Sequence, residues 1–181
     1  MGKNTTEHLV PLNIAVLTVS DTRTLESDSS GQCLVDRLKE YGHHLNSRSI
    51  VIDDIYKIRA SVSNWIADDS TQAILITGGT GFTERDNTPQ AILPLLDVCI
   101  DGFGELFRQI SYEQIGTSTI QSRALAGLAN RTVIFCVPGS PNACKTAWDE
   151  IISKQLDSRQ GPCNFAPHLK GVNLNSCNSR G

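Results

Sequence analysis

The stretch TGGTGFTERDNTPQAI, Thr77 to Ile92, decides how this chain is read. It follows the short apolar run Ala73 to Ile76 and leads into Thr88-Pro89, a good helix start. Threonine there serves as cap, and proline takes a first position where its missing N–H costs nothing. A strand, a glycine-rich turn and a helix in succession form half of a crossover unit, and crossover units build parallel sheets.

Working outward, the same alternation recurs. Ile14 to Ser20 (IAVLTVS) is a β-branched run read as a strand buried on both faces. Ser30 to Tyr41 places Cys33, Leu34, Leu38 and Tyr41 at helical spacing, and Gly42 supplies the stop. Ser49 to Ile52 is a second strand; Ile55 to Asp68 is a helix with Ile55, Ile58, Val62, Trp65 and Ile66 on one face. Thr132 to Val137 is a fourth strand, after Ala73 to Ile76. Pro138-Gly139-Ser140-Pro141 then turns the chain into a helix capped by Ser140. Ala147, Trp148, Ile151, Ile152 and Leu156 line its inner side. The expectation is an α/β fold of three layers, a mostly parallel sheet with helices on both faces. Residues 13–158 form its single domain, after a flexible segment 1–12. A C-terminal extension follows at 159–181, disordered in part beyond Lys170.

Bulk properties narrow the function. A chain of 181 residues, 39% hydrophobic, can bury one sizeable core. A net charge of −3 leaves no broad basic surface, which argues against nucleic acid as a partner. The opening MGKNTTEHLVPLN lacks a signal peptide's apolar run and no segment is apolar enough to span a bilayer, so a cytoplasmic protein with no membrane partner is expected. The myristoylation-like pattern Met1 to Thr6 and the sequons at Asn4 and Asn130 are read as coincidences of short motifs. The six cysteines include no C-x-x-C pair and read as reduced thiols, with Cys136 in the core. His43, His44 and His168 read as solvated or packed rather than as ligands.

In an open parallel sheet, ligands bind beyond the carboxyl ends of the strands. Three such ends carry related chemistry: Ser20-Asp21, Thr77-Gly78-Gly79-Thr80-Gly81, and Pro138-Gly139-Ser140. Bare backbone N–H groups and small hydroxyls suit an anion with several oxygens, although glycines after a strand also make plain tight turns. Neither the P-loop nor the dinucleotide fingerprint is present. Asp86 beside such a loop would repel bare phosphate; it fits if a magnesium ion lies between them, or it pairs with Arg85 as a surface ion pair. Asp53 and Asp54, at another strand end, raise the same question and also suit a turn or helix cap. In Gly102-Phe103-Gly104-Glu105-Leu106-Phe107-Arg108, Glu105 either pairs with Arg108 or accepts two N–H donors from a heteroaromatic ring. Phe103, Phe107, Tyr112 and Ile115 form an apolar set that is core or subunit contact.

Taken in order, TGGTG with its R-D-x-T-P step, GFGELFR, and PGSP before a helix resemble the molybdenum cofactor biosynthesis family typified by MoaB and MogA. The likeness runs from Ile14 to about Lys170. Gly116 to Thr132 and Pro162 to Lys170 look like the MoaB branch. The resemblance implies a homo-oligomer, trimer or hexamer, that binds molybdopterin and works beside other enzymes of that pathway. In the MogA branch the molybdopterin phosphate is adenylylated by ATP with magnesium. The resemblance assigns catalysis to Asp86 and Asp53 and metal binding to Asp86. Substrate binding goes to Ser20, Asp21, Thr77, Gly78, Gly79, Thr80, Gly81, Glu105 and Ser140. A non-catalytic molybdopterin carrier, or a purine-nucleotide (GTP) binder with weak hydrolysis, are the alternatives.

Overall fold

Strand β1 (Asn13–Val19) is buried along almost its whole length, which its uninterrupted apolar sequence requires. In the computed structural model, which describes residues 5–172, it lies between β2 (His44–Val51) and β3 (Ala73–Thr77), parallel to both. The six-stranded sheet runs β2-β1-β3-β6-β5-β4, where β4 is Val98–Cys99, β5 Leu125–Ala129 and β6 Thr132–Val137. β6 continues the parallel set beside β3, while β5 and β4 finish the sheet antiparallel. The expected three layers and mostly parallel sheet are therefore present. Tail residues from 173 onward, Cys177, the Asn4 sequon and the first four residues of the acylation-like pattern lie outside the described residues.

Alternation along β1 sends side chains to two cores. Ile14 and Val16 pack with Leu34 and Leu38 of α1 (Ser29–Tyr41), Phe103 and Phe107 of α4 (Asp101–Ile115), and Trp148. Ala15, Leu17 and Val19 pack on the opposite face with Ile58 and Val62 of α2 (Ile55–Ala67) and Ile92 of α3 (Thr88–Ile92). Each fully buried aliphatic side chain contributes about 1.5–3 kcal/mol of transfer free energy. Phe103 and Phe107 are thus core, whereas Tyr112 and Ile115 on the same helix are exposed.

Several boundaries differ from expectation for identifiable reasons. β2 begins at His44 rather than Ser49, because an edge strand tolerates the polar run His44 to Ser47. β4 and β5 carried no strand signal: one is two residues long and the other, LAGLA, lacks β-branched residues. The β5–β6 turn uses Asn130 and Arg131, both at positive φ (46° and 57°), as a two-residue hairpin demands. Thr88 does not cap α3. Asn87 precedes it without a side-chain cap bond, and the Thr88 hydroxyl donates instead to the Gly78 carbonyl. Ser140 does cap α5 (Pro141–Ala147), accepting from the Ala143 amide. The helix continues through a wider turn at Trp148–Ile152 into α6 (Ser153–Leu156).

Chain segments outside the α/β repeat join the core. Leu12, Ala166 and Leu169 are fully buried. The Thr6 amide donates to the Ser158 carbonyl at 2.9 Å, and Lys170 Nζ donates to the Ile66 carbonyl at 2.8 Å. His43 is packed, stacked on Tyr41 with its Nδ1 accepting from the Leu12 amide; burial pushes its pKa down to about 4. No helix among the described residues is long and apolar enough to cross a membrane, and the five described cysteines are all free thiols.

Candidate functional site

From β1 the chain crosses to β2 on one side, while β3 lies on the other, so the connections diverge between β1 and β3 and leave a crevice at their carboxyl ends. The Gly78–Gly81 loop turns directly over it. Gly78 has φ +101° and lies against the Val19 carbonyl, with no room for a side chain. Gly79 has φ +65°, and a Cβ there would stand 2.6 Å from Asp53 Oδ2. Only glycine combines that backbone with so close an approach.

The loop's carbonyls are taken by the protein. Gly78 O accepts the Thr88 hydroxyl at 2.8 Å, Gly79 O the Thr88 amide at 2.9 Å, and Thr80 O the Arg123 amide at 3.0 Å. The Gly78 amide is spent on Val137 O at 3.0 Å. Among the described residues, the amides of Gly79 and Thr80 have no backbone acceptor. Two adjacent N–H groups without a backbone acceptor at the end of a buried strand are donors of the kind that backbone anion sites use.

Around this loop the sequence-derived residues take different parts. Ser20 folds its own turn, accepting from the Thr22 and Arg23 amides. Asp21 accepts the Asp53 amide and pairs with Arg85 at 2.6 Å, and the Arg85 bond, then the Asp53 bond, hold its carboxyl below the usual range. Arg85 therefore pairs with Asp21 and not with its neighbour Asp86. Thr77 is fully buried; its hydroxyl donates to Pro138 O at 3.1 Å and meets the Cys144 thiol, beneath the loop rather than at its surface. Thr80 is almost fully buried. Ser140 stands on the neighbouring turn, which reaches the loop at Gly139: a Cβ there would be 3.2 Å from Gly78 Cα. Glu105 is exposed on α4 and lines none of the three cavities described beside this end of the sheet. The Glu105–Arg108 pair is not formed; Arg108 Nη1 donates to the Ala124 carbonyl at 3.3 Å.

The two central aspartates differ sharply. Asp86 accepts three bonds within its own loop: the Gly81 amide at 3.0 Å, the Thr83 amide at 2.9 Å and the Thr83 hydroxyl at 2.6 Å. Burial raises its pKa, but these bonds outweigh it and the net shift is downward. Asp53 is buried (7% exposed) and accepts the Asn87 amide through Oδ1 at 2.9 Å. Burial, with the Asp86 and Asp21 charges adding, raises its pKa. Asp54 next to it is the cap of α2, accepting from Tyr56 and Lys57. Among the described residues, no group of three or more His, Cys, Asp or Glu side chains is placed to hold a metal ion. A single oxygen donor such as Asp53 still fits magnesium, which keeps several waters and takes other ligands from substrate phosphates.

Sequence reasoning missed Asn87, Thr88 and Arg123. Arg123 binds the loop twice, through its amide to Thr80 O and its guanidinium to Asp86 O, and it also lies 5.2 Å from the Phe82 ring centroid. Asn87 and Thr88 lie inside the Thr77–Ile92 motif and could have been suspected from their positions; Arg123 could not.

Residues 15–158 match the family model described as a probable molybdopterin binding domain. Molybdenum cofactor biosynthesis protein B of Escherichia coli K12 is 56% identical over 170 residues, covering 94% of this chain and 99% of the relative. A crystal structure of a molybdenum cofactor biosynthesis protein B superposes with TM-score 0.81 at 44% identity, covering 83% of this chain and 94% of that one. The tungsten cofactor synthesizing protein MoaB of Pyrococcus furiosus superposes with TM-score 0.70 at 36% identity over 78% of this chain and 90% of its own.

Proposed function

The chain belongs to the MoaB type of molybdenum cofactor biosynthesis proteins, with their molybdopterin-binding domain, and we propose that its glycine loop grips the terminal phosphate of molybdopterin and offers it to Mg-ATP for adenylyl transfer. The observation that carries this reading is the pair of amides at Gly79 and Thr80 without a backbone acceptor, with the buried Asp53 carboxylate packed against Gly79. An oxygen of the bound phosphate attacks the α-phosphorus of ATP. The new P–O–P bond forms as the bond to the β-phosphate breaks, and pyrophosphate leaves. No side-chain nucleophile is needed. The loop amides hold the attacking phosphate in line. Asp53 would hold magnesium, which supplies neutralising charge when bound, and Asp86 keeps the loop in its cradling shape. Incubation with molybdopterin, ATP and magnesium, followed by mass analysis of the pterin, tests the transfer; adenylylated product is expected, and its absence would refute it.

A second reading, a molybdopterin carrier without nucleotide chemistry, is favoured by the engagement of both Asp86 oxygens within the loop. Under it the pterin binds and GTP or ATP neither competes nor reacts. Both readings place the protein in the cytoplasm with other enzymes of the pathway, as a homo-oligomer. Exposed Leu93 and Ile120, which border a groove of about 610 Å³, would form part of the subunit contact. An Ile120→Asp chain that elutes unchanged from a sizing column would remove that contact.

A further inference from the structure

Beyond the Pro138–Ser140 turn from the glycine loop lies a niche of about 120 Å³ between α4, α5 and the segment 119–122. It adjoins the loop at two points: through Gly139, which abuts Gly78, and through residues 119–122, which lead into the Arg123 amide bonded to Thr80 O. Phe107, Ile115, Pro138 and Ala143 give it apolar walls. Its polar groups are primary amides and hydroxyls, with no ionised side chain in the lining.

Those amides are pre-positioned by each other. Asn142 Nδ2 donates to Gln114 Oε1 at 3.0 Å, and Gln114 Nε2 donates to the Thr146 hydroxyl at 3.1 Å. Among the described residues this leaves Asn142 with Oδ1 and one N–H free, and Gln114 with one N–H free. A carboxamide presenting one acceptor and one donor side by side is complementary to a heterocycle edge that alternates the same way. In a pterin N1 accepts and the adjacent 2-amino group donates, an order that the 2,4-dioxo analogue reverses, and the flat faces of the ring suit the apolar walls.

We propose that Asn142, held by Gln114, is the specificity-determining contact for the pyrimidine edge of the pterin, with the ring seated in this α4–α5 niche while the phosphate lies on the glycine loop. The proposal rests on the molybdopterin reading above. It moves ring recognition from Glu105 to groups further along α4 and at the start of α5. It also explains why the niche is uncharged: a neutral ring edge is read by amides without the desolvation cost of an ion.

The test uses the full chain, a fluorescent 6-substituted pterin monophosphate, its 2,4-dioxo analogue lacking the 2-amino group, and inorganic phosphate as competitor. The wild type should prefer the pterin over the dioxo analogue by tenfold or more. Asn142→Ala, at an exposed position where folding is not at stake, should erase that preference and weaken pterin monophosphate about tenfold, and leave the competition by inorganic phosphate unchanged. Gln114→Leu should reproduce part of the loss. An unchanged preference in Asn142→Ala, or equal weakening of ring and phosphate, overturns the assignment while leaving molybdopterin binding intact. A wild type that binds no pterin monophosphate overturns the functional reading beneath it as well.

Discussion

The corner after β2 and the turn after β3 each bring one aspartate to the same crevice, and they treat it in opposite ways. The β3 turn wraps Asp86 in two amides and a hydroxyl, so the carboxylate builds the loop that contains it. The β2 corner buries Asp53, gives it one strong bond from Asn87 and exposes it to two like charges. A carboxylate whose charged form its surroundings disfavour, at a crevice, is a candidate for a part in function. Under the proposed function, Asp86 is architectural and Asp53 is the carboxylate kept for magnesium.

Asp53→Asn breaks the contrast most severely. Adenylyl transfer, measured as adenylylated pterin by mass, should fall on the order of 100-fold or more. The melting temperature at neutral pH should rise, because a buried charge is removed. Full turnover would make the two aspartates equivalent. Asp86→Ala should do the reverse to stability, lowering it by about 2 kcal/mol in urea unfolding at constant m, since three bonds to a charged acceptor are lost. No shift in midpoint would strip Asp86 of its architectural part.

Acid titration sharpens the difference with opposite signs. The folded pKa of Asp53 is raised, so its contribution is present below the unfolded value near ~3.9 and is lost as pH rises through the folded pKa. The stability gap between Asp53→Asn and wild type should close as the solution is acidified. Asp86 has a lowered folded pKa, so its contribution is present above the unfolded value and is lost as pH falls through the folded one. The Asp86→Ala gap should shrink at the acid end for that reason. Two gaps closing at the same pH would merge the two environments. The smallest effect belongs to Arg85→Ala. Its pair with Asp21 is largely exposed, so unfolding should change little and less still in high salt; a clear, salt-independent loss of stability would show the pair to be more than a surface ion pair.

The parallel half of the sheet was legible because β1, β3 and β6 are continuous apolar runs, a pattern that burial on both faces imposes. The antiparallel end was not. Leu125–Ala129 has small residues where a strand signal needs β-branched ones, and Asn130-Arg131 turns the hairpin without the usual glycine. At the site, glycines announced the cradle because their backbone freedom is a local property. The division of labour between Asp53 and Asp86 was hidden, since it depends on bonds across the chain: Asn87 reaches Asp53 over 34 residues, and Arg123 reaches the Asp86 carbonyl over 37. Glu105 drew attention for its spacing from Arg108, yet helical spacing alone does not say which face meets a ligand.

β4, with only Val98 and Cys99 in register against β5, is where the sheet stops. A border two residues wide offers another chain almost no ladder to extend. The apolar parallel interior is therefore closed off on that side by brevity alone, and crowding should not make the sheet grow from that edge.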